Sequence, residues 1–340
     1  MLRRVADPSN EKKRSSKQPT GKISRKKLNA RKPKAPPKDV TELLLGHAEQ
    51  LAQECRAAAI LVYAEALEGR TWKLPKALRE RVIPVVRSEE QLEGLDAYLP
   101  ERVIRVPEVV LTRMGQIKVA VFLALSHGLL QAGDHVVCLA GPAGESELDM
   151  VRVLEVDREF EFFMDGQPTG GEEEVPSNVR PEVLSRVVEI AIDLGSEGRE
   201  GKPVGTLFVV GDEDTVLPLT NQRILNPFRG YPEEERNVLS VDLEETIKEL
   251  AGVDGAFVIK GDGTVISSGT YLKTSTLPEE SAPRGMGARH QAAAGITFAT
   301  HCMAVAVSES TGTVTIFRRG QVVTEIEKPQ KARQQKSTRG

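Results

Sequence analysis

The sequence predicts an α/β protein of two α/β units, a parallel sheet followed by a second unit with a central mixed sheet. Three observations predict it. From about residue 39 to 155, short apolar runs alternate with segments of helical length, the order that a parallel sheet with right-handed crossovers requires. Beyond residue 200 the apolar runs fold back in pairs across glycine-bearing turns, which builds antiparallel neighbours into the sheet. Between the two lies Gly166 to Glu174, with Gly170, Gly171 and three consecutive glutamates from Glu172, which reads as a solvated hinge. The expected organisation is a basic tail over 1–38, an α/β domain over 39–155, a linker over 156–179, a second α/β domain over 180–328 and a short basic tail over 329–340.

The elements follow in order. Asp39-Val40-Thr41 opens a helix through about Arg56, Ala58 to Tyr63 makes a buried strand, and Arg81 to Val86 makes a second. Pro84 cannot donate to a ladder, so that second strand is expected to be short or to lie at an edge. Ser88-Glu89-Glu90 caps a helix containing Leu92 and Leu95, and Val103 to Val106 is a third strand. A long helix spans Thr112 to Leu130, and His135 to Gly141 is a fourth strand. In the second half, Gly205 to Val210 is a strand, and Asp242 with Glu245 makes a capping box for a helix running to about Leu250 and stopping at Gly252. Asp254 then falls in a helix-to-strand turn. Phe257, Ile259, Val265 and Ile266 flank Gly261-Asp262-Gly263 as a hairpin. The loop Arg284-Gly285-Met286-Gly287 leads into an alanine-rich helix from Arg289 to Thr300. Met303 to Val307 is a strand, Ser308 to Gly312 turns, and Thr313 to Phe317 returns.

Composition bounds the function. No apolar run approaches the roughly 18 residues of a membrane span; the longest, Val119 to Leu130, contains Ser126, His127 and Gly128. The N-terminus lacks the apolar core of a secretory signal. Cys55, Cys138 and Cys302 are odd in number, widely spaced and in apolar surroundings, so they read as buried free thiols of a reducing cytoplasm rather than a disulfide or metal framework. His47, His127 and His135 lack a partner pattern and read as core or surface residues. The net charge of −3 conceals a split, +12 over residues 1–38 and −15 over the remainder. The tail has too few apolar residues to fold and is expected to be disordered. Its attraction to nucleic acid or an anionic surface would be electrostatic and salt-sensitive, and no aromatic residues interleave for base stacking.

The informative stretch is Asp254 to Gly312. It places a carboxylate, an Arg-His pair and a hydroxyl at the ends of secondary elements, with Arg289 and His290 in the first turn of a helix. Helix N-termini expose unpaired N–H groups and partial positive charge, which suits an anion. Each piece alone has a plainer explanation: Asp-Gly is commonly a turn, Arg-His at a helix start is commonly solvated, and Ser-Glu before glycine is commonly a turn. The ordered combination within one small α/β unit is what points to a phosphate site.

That combination resembles the diadenylate cyclase domain. The carrying residues are Asp254-Gly255-Ala256, matching the family's Asp-Gly-Ala, and Gly287-Ala288-Arg289-His290-Gln291, matching its Gly-Thr-Arg-His-Arg. The Ser308-Glu309 turn and the strand Gly205 to Val210 also fit, and the resemblance covers about residues 180–328. Ala288 and Gln291 depart from the family pattern, the first removing a hydroxyl that would touch phosphate; the soluble archaeal-type members look similar to this alanine form. The resemblance implies condensation of two ATP into cyclic di-AMP with release of two pyrophosphates, in an active site formed between two facing subunits of a homodimer or higher homo-oligomer. It implies catalytic duty for Asp254, Gly255, Arg289 and His290. ATP binding would fall to Ala256, Gly269, Thr270, Tyr271, Leu272, Gly287, Ala288, Arg289, His290, Ser308 and Glu309, with the segment at Tyr271 and Leu272 cradling adenine. Mg²⁺ or Mn²⁺ is expected at Asp254 and His290, with Glu309 assisting. An alternative left open by Ala288 and Gln291 is a catalytically weak or inactive adenine-nucleotide sensor with a polyanion-binding tail.

Residues 39–155 are similar, at the level of fold, to the C-terminal domain of pyruvate kinase. The residues that carry this are Ala57 to Val62, Arg81 to Val86 and Gln131 to Leu139. The likeness implies an oligomerising or regulatory unit, not kinase activity.

Overall fold

A computed structural model of the chain describes residues 39–68, 70, 76–92, 102–142, 145–156, 179–273 and 287–328, all within one compact unit. The two basic tails, the hinge at 166–174, Leu95 and the loop at 284–286 lie outside the described residues.

Helix α1 (Val40–Glu54) starts where expected, because the Asp39 carboxylate accepts from the Thr41 N–H at 3.1 Å. Strands β1 (Ala59–Tyr63), β2 (Val82–Val86), β3 (Ile104–Arg105) and β4 (His135–Ala140) run parallel, and β5 (Met150–Glu155) completes the sheet in the order β3-β2-β1-β4-β5. The short helix α2 (Lys76–Arg79) precedes β2, and α3 (Arg113–Ser126) precedes β4. Three expectations are corrected. β5 pairs antiparallel with β4, so the sheet is not wholly parallel. β2 meets the first of its two expected alternatives, being short though interior; β3 pairs only with Val85 and Val86, which spares Pro84 a ladder partner on that side. α3 stops at Ser126 rather than Leu130, because the chain turns at His127 and at Gly128, whose φ is +66°. The helix expected after Ser88 is one 3-10 turn, Glu89–Leu92.

The second sheet is mixed, as expected. Helix α4 (Pro181–Glu197) leads to β6 (Thr206–Val210), α5 (Glu213–Val216) and β7 (Thr220–Gln222). Then come α6 (Glu244–Leu250), β8 (Ala256–Ile259), β9 (Val265–Leu272), α7 (Ala288–Ala299), β10 (Met303–Val307), β11 (Val314–Arg318) and β12 (Gln321–Ile326). The order is β12-β11-β10-β6-β8-β9-β7, with β6 and β8 parallel and the other pairs antiparallel. Neither α4 nor β5, β7 and β12 is anticipated by the sequence patterns above. The capping box also does not form. A 3-10 turn over Val241–Leu243 leads into α6 without a side-chain cap, and Glu245 instead accepts from Arg199 at 2.8 Å.

Alternation along the strands sorts the core. Ile60, Val62, Val137 and Leu139 pack on Leu45, Ala48 and Ala52 of α1, while Leu61, Tyr63, Ile83 and Cys138 face the cluster containing Phe122 of α3. That cluster continues without a break through Val183, Leu184 and Val187 of α4 to Phe208, Phe257 and Val305 of the second sheet. On the far face, Leu207, Val209, Ala304 and Phe317 pack on Ala293, Ala294 and Ile296 of α7. Both sheets are therefore buried on two faces, which explains strands that read as continuous apolar runs. Phe208 and Phe257 stack at 5.0 Å between ring centroids, and truncating either to alanine would cost about 3–5 kcal/mol. Cys138 and Cys302 are buried as expected, but Cys55, at the end of α1, is only half-buried. No described helix is long and apolar enough to cross a membrane.

Candidate active site

The site assembles where β8, α7 and the β10–β11 turn end together. Asp254 lies in the turn between α6 and β8, and its side chain is 99% exposed. Gly255 follows with φ +117°. A Cβ there would lie 2.5 Å from the carbonyl carbon of Gly269, so only glycine lets β8 start this close to β9.

Gly287 is the N-cap of α7 and offers no side-chain cap. The first helical hydrogen bonds run from His290 and Gln291 to the Gly287 carbonyl, at 3.0 and 3.1 Å. The amides of Ala288 and Arg289 precede them, and an anion is the natural partner for donors at such a terminus. Arg289 is the electrostatic hub. Its guanidinium donates to Glu309 at 3.2 Å and lies 3.9 Å from Asp254, while its buried Nε has no hydrogen-bond partner. Burial, aided by the neighbouring Arg289, holds His290 below the ordinary imidazole value, against the upward pull of Glu325. Its ring stands edge-on to Phe317 at 5.9 Å. The neutral imidazole is thereby favoured, suited to hydrogen bonding rather than charge.

Ser308 closes β10, with its N–H donating to the Thr313 carbonyl, while the Gly312 N–H donates to the Ser308 carbonyl. The resulting turn presents a run of hydroxyls, Ser308 Oγ lying 3.3 Å from Ser310 Oγ and Thr311 Oγ1 donating to Thr313 Oγ1 at 2.9 Å.

An open cavity of about 810 Å³ gathers Asp254, Gly287, Ala288, Arg289, His290, Ser308 and Glu309 of the expected residues. Gly255, Ala256 and the segment Gly269 to Leu272 do not line it. Ala256 pairs with Thr270 and is buried, and Thr270 is spent inside the sheet, its hydroxyl donating to Gln222 at 3.1 Å and meeting Ser267 at 2.8 Å. Leu272 is a core residue. Of that segment Tyr271 is the side chain left half-exposed, with the Arg223 guanidinium 4.4 Å from its ring centroid.

Sequence reasoning missed several lining residues: Ser310, Thr311, Thr313, Thr315, Glu325 and Glu327. The hydroxyl run 308–315 was visible in the sequence, whereas the two glutamates belong to β12 and its end and carry no local signal. Among the described lining residues Arg289 is the one permanent cation against four carboxylates, Asp254, Glu309, Glu325 and Glu327. Among the described residues no group of three ligating side chains is placed to hold a metal ion.

Comparison with known proteins identifies the family. Residues 193–322 match the family described as DisA bacterial checkpoint controller nucleotide-binding. A diadenylate cyclase from Haloferax volcanii is 34% identical over 208 residues, 60% of this chain and 72% of that protein. The chain belongs to the diadenylate cyclase family. A diadenylate cyclase from Methanocaldococcus jannaschii is also 34% identical, over 211 residues, and the match spans 63% of that relative's length. Residues 41–164 match the family described as probable sensor domain DacZ_P, a description different from the pyruvate kinase likeness read from the sequence. Two solved structures, a hypothetical membrane spanning protein from Bacillus cereus and DacA from Staphylococcus aureus, overlay on 43% of this chain, covering 64% and 86% of theirs. Their identities of 20% and 22% and TM-scores of 0.33 and 0.29 are too slight to build on.

Proposed function

We propose that this diadenylate cyclase family member condenses two ATP into cyclic di-AMP, releasing two pyrophosphates. The observation that carries the reading is the joining of Asp254 and Glu309 through Arg289 at the open N-terminus of α7, inside one cavity. The triphosphate lies against the free amides of α7, with Arg289 and the Ser308 hydroxyl donating to phosphate oxygens and neutral His290 adding a hydrogen bond. Asp254 meets the attacking 3′-hydroxyl. In each of two steps an O3′–phosphorus bond forms, the bond from the α-phosphorus to the pyrophosphate oxygen breaks, and the hydroxyl proton leaves through Asp254 to solvent. The near-complete exposure of Asp254 suits a carboxylate that serves a nucleotide held by a facing subunit, so a homodimer is the active unit. Tyr271, exposed on the strand beside Gly255, receives adenine, while Gly269, Thr270 and Leu272 contribute backbone and shape.

The donor set fits a hard divalent cation that arrives with the nucleotide. Asp254 and Glu309 are exposed oxygen ligands, no three-ligand protein cage exists among the described residues, and triphosphate and water would complete the shell. Asp254, with His290, would hold Mg²⁺ or Mn²⁺, which when bound neutralises phosphate charge in a cavity rich in carboxylates. Residues 180–328 act as the catalytic domain and 39–155 as a regulatory or oligomerising one, in the cytoplasm, with the positive charge of the basic tails attracting polyanions.

The test is incubation of the full chain with ATP and Mn²⁺ or Mg²⁺, with cyclic di-AMP and pyrophosphate read by mass spectrometry beside Asp254→Asn. Product from the wild type and none from Asp254→Asn, with ATP binding kept, is expected. ATP binding without product from a confirmed dimer would replace the cyclase reading with that of a nucleotide sensor.

A further inference from the structure

β12 is an edge strand of the second sheet, and an open edge leaves backbone groups without partners. Helix α3, from the N-terminal half, covers it. Lys118 Nζ donates to the carbonyl of Glu325 at 3.0 Å, a contact across 207 residues of sequence. One turn earlier, Gly115 brings α3 so close that a Cβ there would lie 3.0 Å from the carbonyl of Glu327. Glu325 and Glu327 are the residues through which this edge reaches the candidate active site, since both line its cavity beside His290 and Thr315. Glu325 also pairs directly with Thr315 of β11, so a shift of β12 moves two walls of the cavity at once.

The other side of α3 is tied to the first sheet. Gln116 Nε2 donates to the carbonyl of Gly141, just beyond β4, at 3.2 Å, and the Tyr63 hydroxyl at the end of β1 donates to the Gln116 carbonyl at 3.1 Å. Three positions of one helix, 115, 116 and 118, thus hold the ends of two strands of the first sheet and the edge of the second. Lys118 is the one charged residue in the stretch Ile117 to Leu125 of α3, where its neighbours are buried and apolar. Lys118 is itself part-buried, with its amine directed onto the Glu325 carbonyl.

We propose that Lys118 is a positioning residue for the nucleotide site, holding β12 so that Glu325 and Glu327 stand clear of the triphosphate. The N-terminal half thereby gains a physical handle on the site: whatever moves α3 moves the acidic wall. Loss of the contact lets the carboxylates drift toward the phosphates, which weakens ATP binding before it alters the chemical step. Networks of this kind shift coupling by amounts equivalent to about 2- to 30-fold in affinity.

The proposal rests on the cyclase reading for its turnover readout but not for its binding readout. In the full chain, ATP affinity would be measured by calorimetry, together with KM, kcat and the thermal midpoint, for Lys118→Met, Lys118→Arg and Gly115→Ala. Lys118→Met is expected to raise Kd and KM for ATP about 2- to 30-fold with kcat much less affected, and Lys118→Arg, which keeps a donor, to recover most of the loss. Gly115→Ala, which pushes on the Glu327 carbonyl, is expected to weaken ATP binding independently. Wild-type affinity in Lys118→Met overturns the proposal, as does a weakened affinity that tracks a lowered thermal midpoint and is not recovered by arginine. Should Lys118→Met fail to fold, unchanged ATP affinity in Gly115→Ala overturns it. A wild type that binds ATP but makes no cyclic di-AMP removes the cyclase reading and leaves the binding comparison to decide this one.

Discussion

Gly205 lies directly beneath Arg289: a Cβ built on Gly205 would stand 2.6 Å from Arg289 Nη1, 2.9 Å from Glu309 Cβ and 3.1 Å from the Glu309 amide nitrogen. The glycine just before β6 is therefore the floor on which the Arg289–Glu309 pair rests. Gly205→Ala is expected to displace the guanidinium and cost about 1–3 kcal/mol from overpacking. ATP affinity and turnover should fall together while the fold persists. Circular dichroism beside ATP titration checks this, and wild-type ATP affinity would show that the pair relaxes freely.

Gly255 makes a different prediction, because its constraint is backbone rather than side chain. With φ at +117° and the Gly269 carbonyl carbon 2.5 Å from where a methyl group would stand, Gly255→Ala must force β8 away from β9. The cost should be at least about 1–3 kcal/mol, visible as a lower urea midpoint, and Asp254 next to it should lose function even though its own side chain is untouched. A variant with an unchanged midpoint contradicts this account.

Cys302 supplies a pH signature. Burial pushes its thiol from about 9 up to about 12. The folded pKa is raised, so the stabilising difference is fully present below pH 9 and is lost as pH rises from 9 toward 12, by at most about 4 kcal/mol. Urea melts between pH 8 and 11 should show a downward slope that Cys302→Ala reduces. In native protein at pH 8, iodoacetamide should label half-buried Cys55 first, with Cys138 and Cys302 protected until unfolding.

The N-terminal half is also expected to be needed for solubility. A chain beginning at Val179 would uncover the side of α4 that meets the N-terminal half at Ser185 and Ile192, together with the edge of β12 that α3 covers. Unpaired edges and apolar patches of this kind promote association. Size-exclusion chromatography should find aggregate or no soluble protein, and a well-behaved truncated species would mean that the shared core is dispensable.

Much of this was legible locally. The Asp39 cap, the two glycine turns around β8 and β10, and the first turn of α7 depend on residues a few positions apart, and local hydrogen bonding places them as the patterns predict. The capping box at Asp242 failed for a reason outside its own segment: Arg199 competes for Glu245 and Glu249 from 46 and 50 residues away. Helix α4 escaped notice although its apolar face is well formed, and β12 gave no clear period because its neighbours on either side, β11 and α3, determine what each residue meets.

By itself the sequence determined that Asp254, Arg289, His290, Ser308 and Glu309 would stand at element ends, because glycines and strand-to-helix transitions put them there whatever the remainder of the chain does. Tertiary structure decided which of them meet. Register between β6, β8 and β10 brings Asp254 and Glu309 to one guanidinium, and packing against α3 sets Glu325 and Glu327 into the same cavity. Electrostatic coupling depends on distance through space, and distance between residues far apart in the chain is fixed only when the sheets close on their shared core.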